Sequence, residues 1–179
     1  MKKKIIITGG LGYIGTELCK IYSGESWNNE IIVIDNKFFS DRVNQLSNWN
    51  IKFIQGNILD KSFINDHIKD ADTIHHLAGI TDVAYVKKDE NKERDDLIKA
   101  TAVDGTQNVL DAMSKNAKII FPSTHVIFEG LKKTKYNILE NEKPITFLAY
   151  SSSKVINEKQ LQSSGKNYVI LRLGSVYGY

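Results

Sequence analysis

Tyr150 and Lys154 stand four residues apart in "AYSSSKV". On a helix that spacing stacks the two side chains on one face, where an ammonium can stabilise a phenolate and lower a pKa that is ordinarily about 10. The result is a general acid/base usable near neutral pH. Tyr-x-x-x-Lys alone is common on solvated helix faces, so the pair takes its meaning from two further features. One is the dipeptide Ser123-Thr124, ending 26 residues before Tyr150. The other is the set of glycines directly behind the isoleucines of "IIITGGLGYIGTELC", residues 5–19.

Gly9, Gly12 and Gly15 fall where a strand-like run gives way to a helical pattern. A missing side chain there lets the backbone turn tightly, approach a pyrophosphate, and pack helix against strand. The amide N–H groups and positive dipole end of the helix then face the anion. A tight turn without a ligand is the alternative for the glycines taken alone. Asp35 ends the second apolar run, 20 residues after Gly15. A carboxylate at that point accepts hydrogen bonds from an adenosine ribose and repels a 2′-phosphate, which favours NAD over NADP. Its alternative is a solvated turn residue before Asn36.

The elements that must position these groups are short β-branched runs alternating with helical or polar segments. Strands are expected at Lys4–Thr8, Ile31–Asp35, Lys52–Gln55, Thr73–Leu77, Lys118–Phe121 and Tyr168–Leu173, with helices at Tyr13–Tyr22, Lys61–Ile68, about 93–115 and Tyr150–Gln162. Runs apolar on both faces, such as "EIIVID", require helices on both sides. The expectation is an α/β, doubly wound parallel sheet, Rossmann-like and three-layered, forming one domain over residues 1–179. Pro122 has no N–H for a ladder, so it is expected to mark where the fifth strand leaves the sheet.

Composition removes several other classes. The chain has 179 residues, 41% hydrophobic, enough for a sizeable core rather than disorder. A net charge of +3, with basic residues mostly scattered, argues against a nucleic-acid partner. No apolar run is long enough to span a bilayer, and Met1 to Lys4 lead straight into a strand, so neither membrane nor signal peptide is expected. Cys19 is the single cysteine, read as a small core residue, and a cytoplasmic location follows as an expectation. No metal site is expected, since His75 and His76 are adjacent on a strand and point to opposite faces. His125, beside Thr124, is a weaker candidate for substrate contact. The helical stripe Leu97, Ala100, Val109, Leu110 and Met113 reads as core or as a dimer surface.

The glycine spacing in "TGGLGYIG" resembles the short-chain dehydrogenase/reductase superfamily, in particular its extended branch of NAD-dependent sugar epimerases and dehydratases. Further segments match in the family's order: "GNILD" at 56–60, "HHLAG" at 75–79, "VDGTQNVLDAM" at 103–113, "STHVIFEG" at 123–130, "YSSSK" at 150–154 and "LRLGSVYG" at 171–178. Asn57 stands where the family usually carries Asp, and Ala102 replaces a customary Asn. The resemblance implies NAD held by Gly9, Gly12, Tyr13, Ile14, Gly15, Asp35, Asn36, Asn57, Ile58, Leu77, Ala78, Gly79, Tyr150, Lys154 and Leu173. It assigns Lys154 to the nicotinamide ribose. It gives Thr124, in preference to Ser123, the hydrogen bond to the reacting hydroxyl. It also implies a homodimer through the 93–115 and 150–162 helices.

The family continues well past "VYG" into a region that grips the substrate, so this chain is expected to be a truncated form, a fragment or a shortened paralogue, with a nearly complete cofactor half. The function expected is that of an NAD-dependent sugar-nucleotide epimerase, dehydratase or reductase using Thr124, Tyr150 and Lys154. A reductase of a smaller carbonyl compound and a non-catalytic NAD-sensing protein are the alternatives.

Overall fold

The computed structural model describes residues 2–81 and 91–177. In chain order the elements are β1 Lys4–Thr8, α1 Tyr13–Tyr22, β2 Glu30–Asp35, α2 Ser40–Asn48, β3 Lys52–Gln55, α3 Lys61–Ile68, β4 Thr73–His76, α4 Lys92–Ala112, β5 Lys118–Thr124, a short 3-10 turn His125–Phe128, α5 Ala149–Ser163 and β6 Asn167–Leu173. The six strands form one sheet in the order β3-β2-β1-β4-β5-β6, every pairing parallel. The strand order reverses beside β1, so the carboxyl ends of β1 and β4 flank the crevice where such sheets bind ligands.

Strand alternation divides the core. Ile6, Ile32, Ile34, Ile74, Ile119 and Phe121 lie on one face with Ile64 and Ile68 of α3, Val109, Leu110 and Met113 of α4, and Leu161 of α5. Ile5, Ile7, Ile31 and Val33 lie on the other with Cys19 of α1 and Leu46 of α2. Both faces are therefore closed, the condition a parallel ladder of consecutive β-branched residues needs. Burial pushes the Cys19 thiol up to about 12, as expected of an inert core residue.

Three local details go beyond the sequence reading. Helix α2 falls in a stretch to which no element is assigned, because Val43 and Leu46 are its only apolar residues and the rest of "SDRVNQLSN" is polar. The stripe along α4 divides, Val109, Leu110 and Met113 lying in the core and Leu97 being 53% exposed. The fifth strand does not end at Pro122. Its pairing with β4 stops at Ile120, but its ladder with β6 runs on through Pro122↔Leu171 to Thr124↔Leu173. Pro122 is tolerated where one side of the strand has already lost its neighbour.

Candidate active site

The site lies along the carboxyl edge of the sheet. At the end of β1, Gly9 has φ +70°, and a Cβ there would meet the Ala78 nitrogen of the neighbouring loop at 2.6 Å. Gly15 is equally constrained, since a Cβ would come within 2.6 Å of the Gly10 Cα. Gly12 differs. It is the exposed N-cap of α1, and a Cβ there would meet only the Gly9 carbonyl, at 3.2 Å. No side chain caps α1, and its first turn carries no acidic residue. The first-turn amides of Tyr13 and Ile14, whose side chains are 52% and 37% exposed, are thus available to an anion. Asp60 and Asn91 close α3 and α4 by contrast, accepting from Phe63 and Arg94 main-chain nitrogens.

Asp35, half-buried at the end of β2, is already engaged with the loop. Its Oδ2 accepts from the Leu11 amide at 3.1 Å and its Oδ1 from the Lys37 amide at 3.0 Å. Each oxygen retains a lone pair for a ligand hydroxyl. Asn36 follows, its carbonyl accepting from Gln55 Nε2 at 3.3 Å. The Asn57 Oδ1 accepts from the Leu59 amide at 3.0 Å, and Ile58 buries its side chain in the core against Gly105. The loop after β4 is tied to β1: the Leu77 amide donates to the Thr8 carbonyl at 3.0 Å and the Ala78 amide to Thr8 Oγ1 at 3.3 Å. A Cβ at Gly79 would meet nothing within 4 Å.

The adjacent histidines take opposite faces. His75 Nε2 lies 2.8 Å from the Tyr22 hydroxyl of α1. His76 bridges Thr8 Oγ1, 2.7 Å from Nδ1, and Thr106 Oγ1, 3.0 Å from Nε2, towards α4. Burial drives the pKa of His76 down to about 3, helped by the charge of Lys154, so it is a neutral strut. Among the described residues no three His, Cys, Asp or Glu side chains gather to hold a metal.

At the end of β5, Thr124 stands beside Tyr150, close enough for its hydroxyl to act on the phenol, and its Oγ1 accepts from the Val126 amide at 3.1 Å. Ser123 points elsewhere, donating to Glu158 Oε1 at 2.6 Å. Lys154 Nζ lies 5.9 Å from the Tyr150 ring centroid and 4.3 Å from that of Phe121, and donates to the Pro122 carbonyl at 2.8 Å. The expected lowering of the phenol by this ammonium is therefore corrected. Burial raises Tyr150 above its ordinary value, and it is the neighbouring Thr124 hydroxyl that pulls the other way. The lysine is the group more strongly displaced, lowered to about 8 by burial and sustained by the charge of Glu158.

Leu173 ends β6 opposite Thr124, and its carbonyl lies 3.1 Å from His125 Nδ1, which places both residues on the Tyr150 side of the site. Gly178, the last residue of the "LRLGSVYG" segment, lies outside the described residues.

Sequence reasoning missed three supporting residues. Glu158, one turn beyond Lys154, is buried and receives Arg172 through Nε at 2.9 Å and Nη2 at 2.7 Å, a two-pronged pair. Its spacing from Lys154 was a usable signal. Glu129 fastens the segment leading into α5 by accepting from the Phe147 and Leu148 amides at 2.9 and 2.8 Å and from the Ser151 hydroxyl. Arg42 donates to the Leu11 carbonyl. Neither of these last two leaves a mark in the sequence, because their partners are mostly main-chain groups remote in the chain.

The sequence profile of the NAD dependent epimerase/dehydratase family matches residues 5–179. The chain is 30% identical over 197 residues to a dTDP-D-glucose 4,6-dehydratase of Dictyostelium discoideum, covering 98% of this chain and 44% of that protein. It is 30% identical over 202 residues to a CDP-paratose 2-epimerase of Salmonella typhi, covering 98% and 58%. The chain thus spans about half the length of these curated relatives. In fold it resembles the UDP-glucose 4-epimerase of Thermotoga maritima crystallised with UDP-glucose, at TM-score 0.80 and 24% identity over 98% of this chain and 56% of that one. A Brucella ovis UDP-glucose 4-epimerase in complex with NAD gives 0.75 and 24%, over 95% and 51%.

Proposed function

The chain belongs to the NAD-dependent epimerase/dehydratase family, and from that premise we propose that it is the cofactor-holding part of an enzyme that oxidises a hydroxyl of a sugar nucleotide. The observation that carries the reading is a convergence. An uncapped helix N-terminus after β1, and Thr124, Tyr150 and Lys154 gathered at the end of β5, lie along the same carboxyl edge of one parallel sheet.

The residues fit NAD. The exposed N-cap Gly12 and the first-turn amides of α1 would receive the pyrophosphate, and Asp35 the adenosine ribose. Lys154 would leave the Pro122 carbonyl, at least in part, to hold the nicotinamide ribose. Bound there, NAD supplies the acceptor for a hydride leaving the sugar carbon. Tyr150 would take the proton from the hydroxyl on that carbon and return it to the product, Thr124 fixing the hydroxyl within reach. The charge of Lys154 is sustained by Glu158, while burial holds the Tyr150 phenol above its ordinary value until a ligand changes its surroundings.

The reading includes a cytoplasmic setting, supported by a single buried free thiol. It also includes a homodimer through α4 and α5. These helices already pack together, Asn157 donating to the Ala102 carbonyl at 2.9 Å and Gln160 to that of Val103 at 3.0 Å. Leu97 and Ile156 remain exposed, 53% and 42%, as contacts for a second helix pair.

The experiment is a calorimetric titration with NAD+ followed by incubation with UDP-, GDP- and dTDP-sugars while NADH absorbance is recorded. Tight NAD+ binding and hydride transfer from one of these classes is the expected result. NAD+ binding with no transfer from any of them would reduce the proposal to a binding protein.

A further inference from the structure

Leu11, inside the glycine-rich turn, has its main chain gripped from both sides. Its amide donates to Asp35 Oδ2 at 3.1 Å, and its carbonyl accepts from Arg42 Nη1. The two side chains thus meet the same residue of the loop, one anionic and one cationic. Asp35 has two backbone donors as partners, Leu11 and Lys37. Among the described residues Arg42 enters no ion pair; it is exposed, with its guanidinium carbon 5.3 Å from the centroid of the Phe39 ring.

We propose that Arg42 is a latent specificity-determining residue of the dinucleotide site, placed to receive a 2′-phosphate and kept from doing so by the Asp35 carboxylate. The inference rests on the reading above, in which Asp35 faces the adenosine ribose. If Asp35 meets the ribose, a phosphate on its 2′-oxygen falls near the Leu11 turn, where the guanidinium already stands. A guanidinium binds phosphate through paired N–H groups, and Arg42 surrenders only a hydrogen bond to a neutral carbonyl to do so. It also lies in the first turn of α2, whose N-terminus no side chain caps, so the local dipole adds to its charge. Asp41, next to it in that turn, weakens the field without touching Leu11. One substitution at Asp35 is therefore enough to change the preference, with no arginine added.

The test is calorimetric titration of NAD+ and NADP+ into the 179-residue chain and its variants, with circular-dichroism melts to establish folding. Asp35→Asn keeps an acceptor for the Leu11 amide and removes the charge; Asp35→Ser is the second variant should the first fold poorly. In either, NADP+ affinity should rise by about tenfold or more over the wild type. Combining the change with Arg42→Gln should erase that gain while leaving NAD+ affinity within a few-fold of the single Asp35 variant. Persistence of the gain in the double variant would overturn the assignment and pass the role to Lys37, the other cation of this loop. Folded Asp35 variants that gain no NADP+ affinity would overturn it too. A wild type that binds neither nucleotide would instead defeat the cofactor reading itself, an outcome separable from both.

Discussion

Helices α1 and α5 start on the same edge of the sheet, neither with a side-chain cap, and the chain enters them in opposite ways. The entry to α1 is bare: Gly12 is its cap, and no side chain reaches its amides. The entry to α5 is fastened by Glu129, which collects the Phe147 and Leu148 amides and the Ser151 hydroxyl just where Tyr150 enters the helix. An anion site must leave backbone donors unmet until the ligand arrives. An acid/base site needs one side chain held at one angle, so its entry segment is fastened beforehand and its charges are paired, as Glu158 is with Arg172. The first region works with main chain and absence of side chains, the second with side chains and their supports.

The strongest break of this contrast is a pair of glycine substitutions. Gly12→Val meets one close neighbour, the Gly9 carbonyl at 3.2 Å, so the chain should melt only modestly below the wild-type temperature yet lose NAD+ binding to below detection in calorimetry. Gly9→Val should lose fold stability as well, because the residue sits at φ +70° and faces the Ala78 backbone at 2.6 Å; the conformation alone costs about 1–3 kcal/mol. A Gly12→Val protein that binds NAD+ normally would show that the bare helix end is not the phosphate site.

Tyr150→Phe tests the other region. It removes the hydroxyl beside Thr124 and keeps the ring, so turnover of a responsive sugar nucleotide should fall by about 10²-fold or more, with NAD+ affinity hardly changed. Full activity in this variant would remove Tyr150 from the chemistry.

A smaller effect comes from the strut between the regions. His76 is held neutral, its folded pKa of about 3 lying below the 6.5 of an unfolded histidine. The unfolded chain therefore binds more protons between these values, so the contribution of His76 is fully present above pH 6.5 and is lost as pH falls through the window. Urea midpoints measured from pH 7 to pH 4 should decline in the wild type and decline less in His76→Gln. Parallel curves would mean that His76 takes up a proton without cost.

The smallest expected change is at the entry to α5. Glu129→Ala removes the acceptor of the Phe147 and Leu148 amides and should cost about 1–3 kcal/mol in urea unfolding, while NAD+ affinity stays at the wild-type value. A loss of NAD+ affinity with no loss of stability would reverse the division of labour drawn between the two regions.

Much of this was legible locally. Stiff apolar runs such as "KIIIT" and "EIIVID" can only be strands with both faces covered, and glycines between strand and helix mark a turn that needs their conformations. Tyr150 and Lys154 could be paired because four residues make one helical step. Helix α2 could not be seen, since only Val43 and Leu46, one turn apart, mark its inward face in an otherwise polar stretch. Arg42 and Glu129 were silent because they bind main-chain atoms, which every sequence contains.

By itself, then, the sequence determined the class of the sheet, the turn after β1, and the residues at its carboxyl edge, because these follow from conformational freedom and short-range periodicity. Only the tertiary structure decided what those residues experience. Placing Lys154 between Phe121, the Pro122 carbonyl and Glu158 made the lysine, not the tyrosine, the strongly shifted group. Bringing Thr124 onto Tyr150, and Ser123 onto Glu158, separated two neighbouring hydroxyls into different tasks. The physical reason is that desolvation and hydrogen bonding depend on which distant segments arrive at a given atom, and no spacing along the chain encodes that arrival.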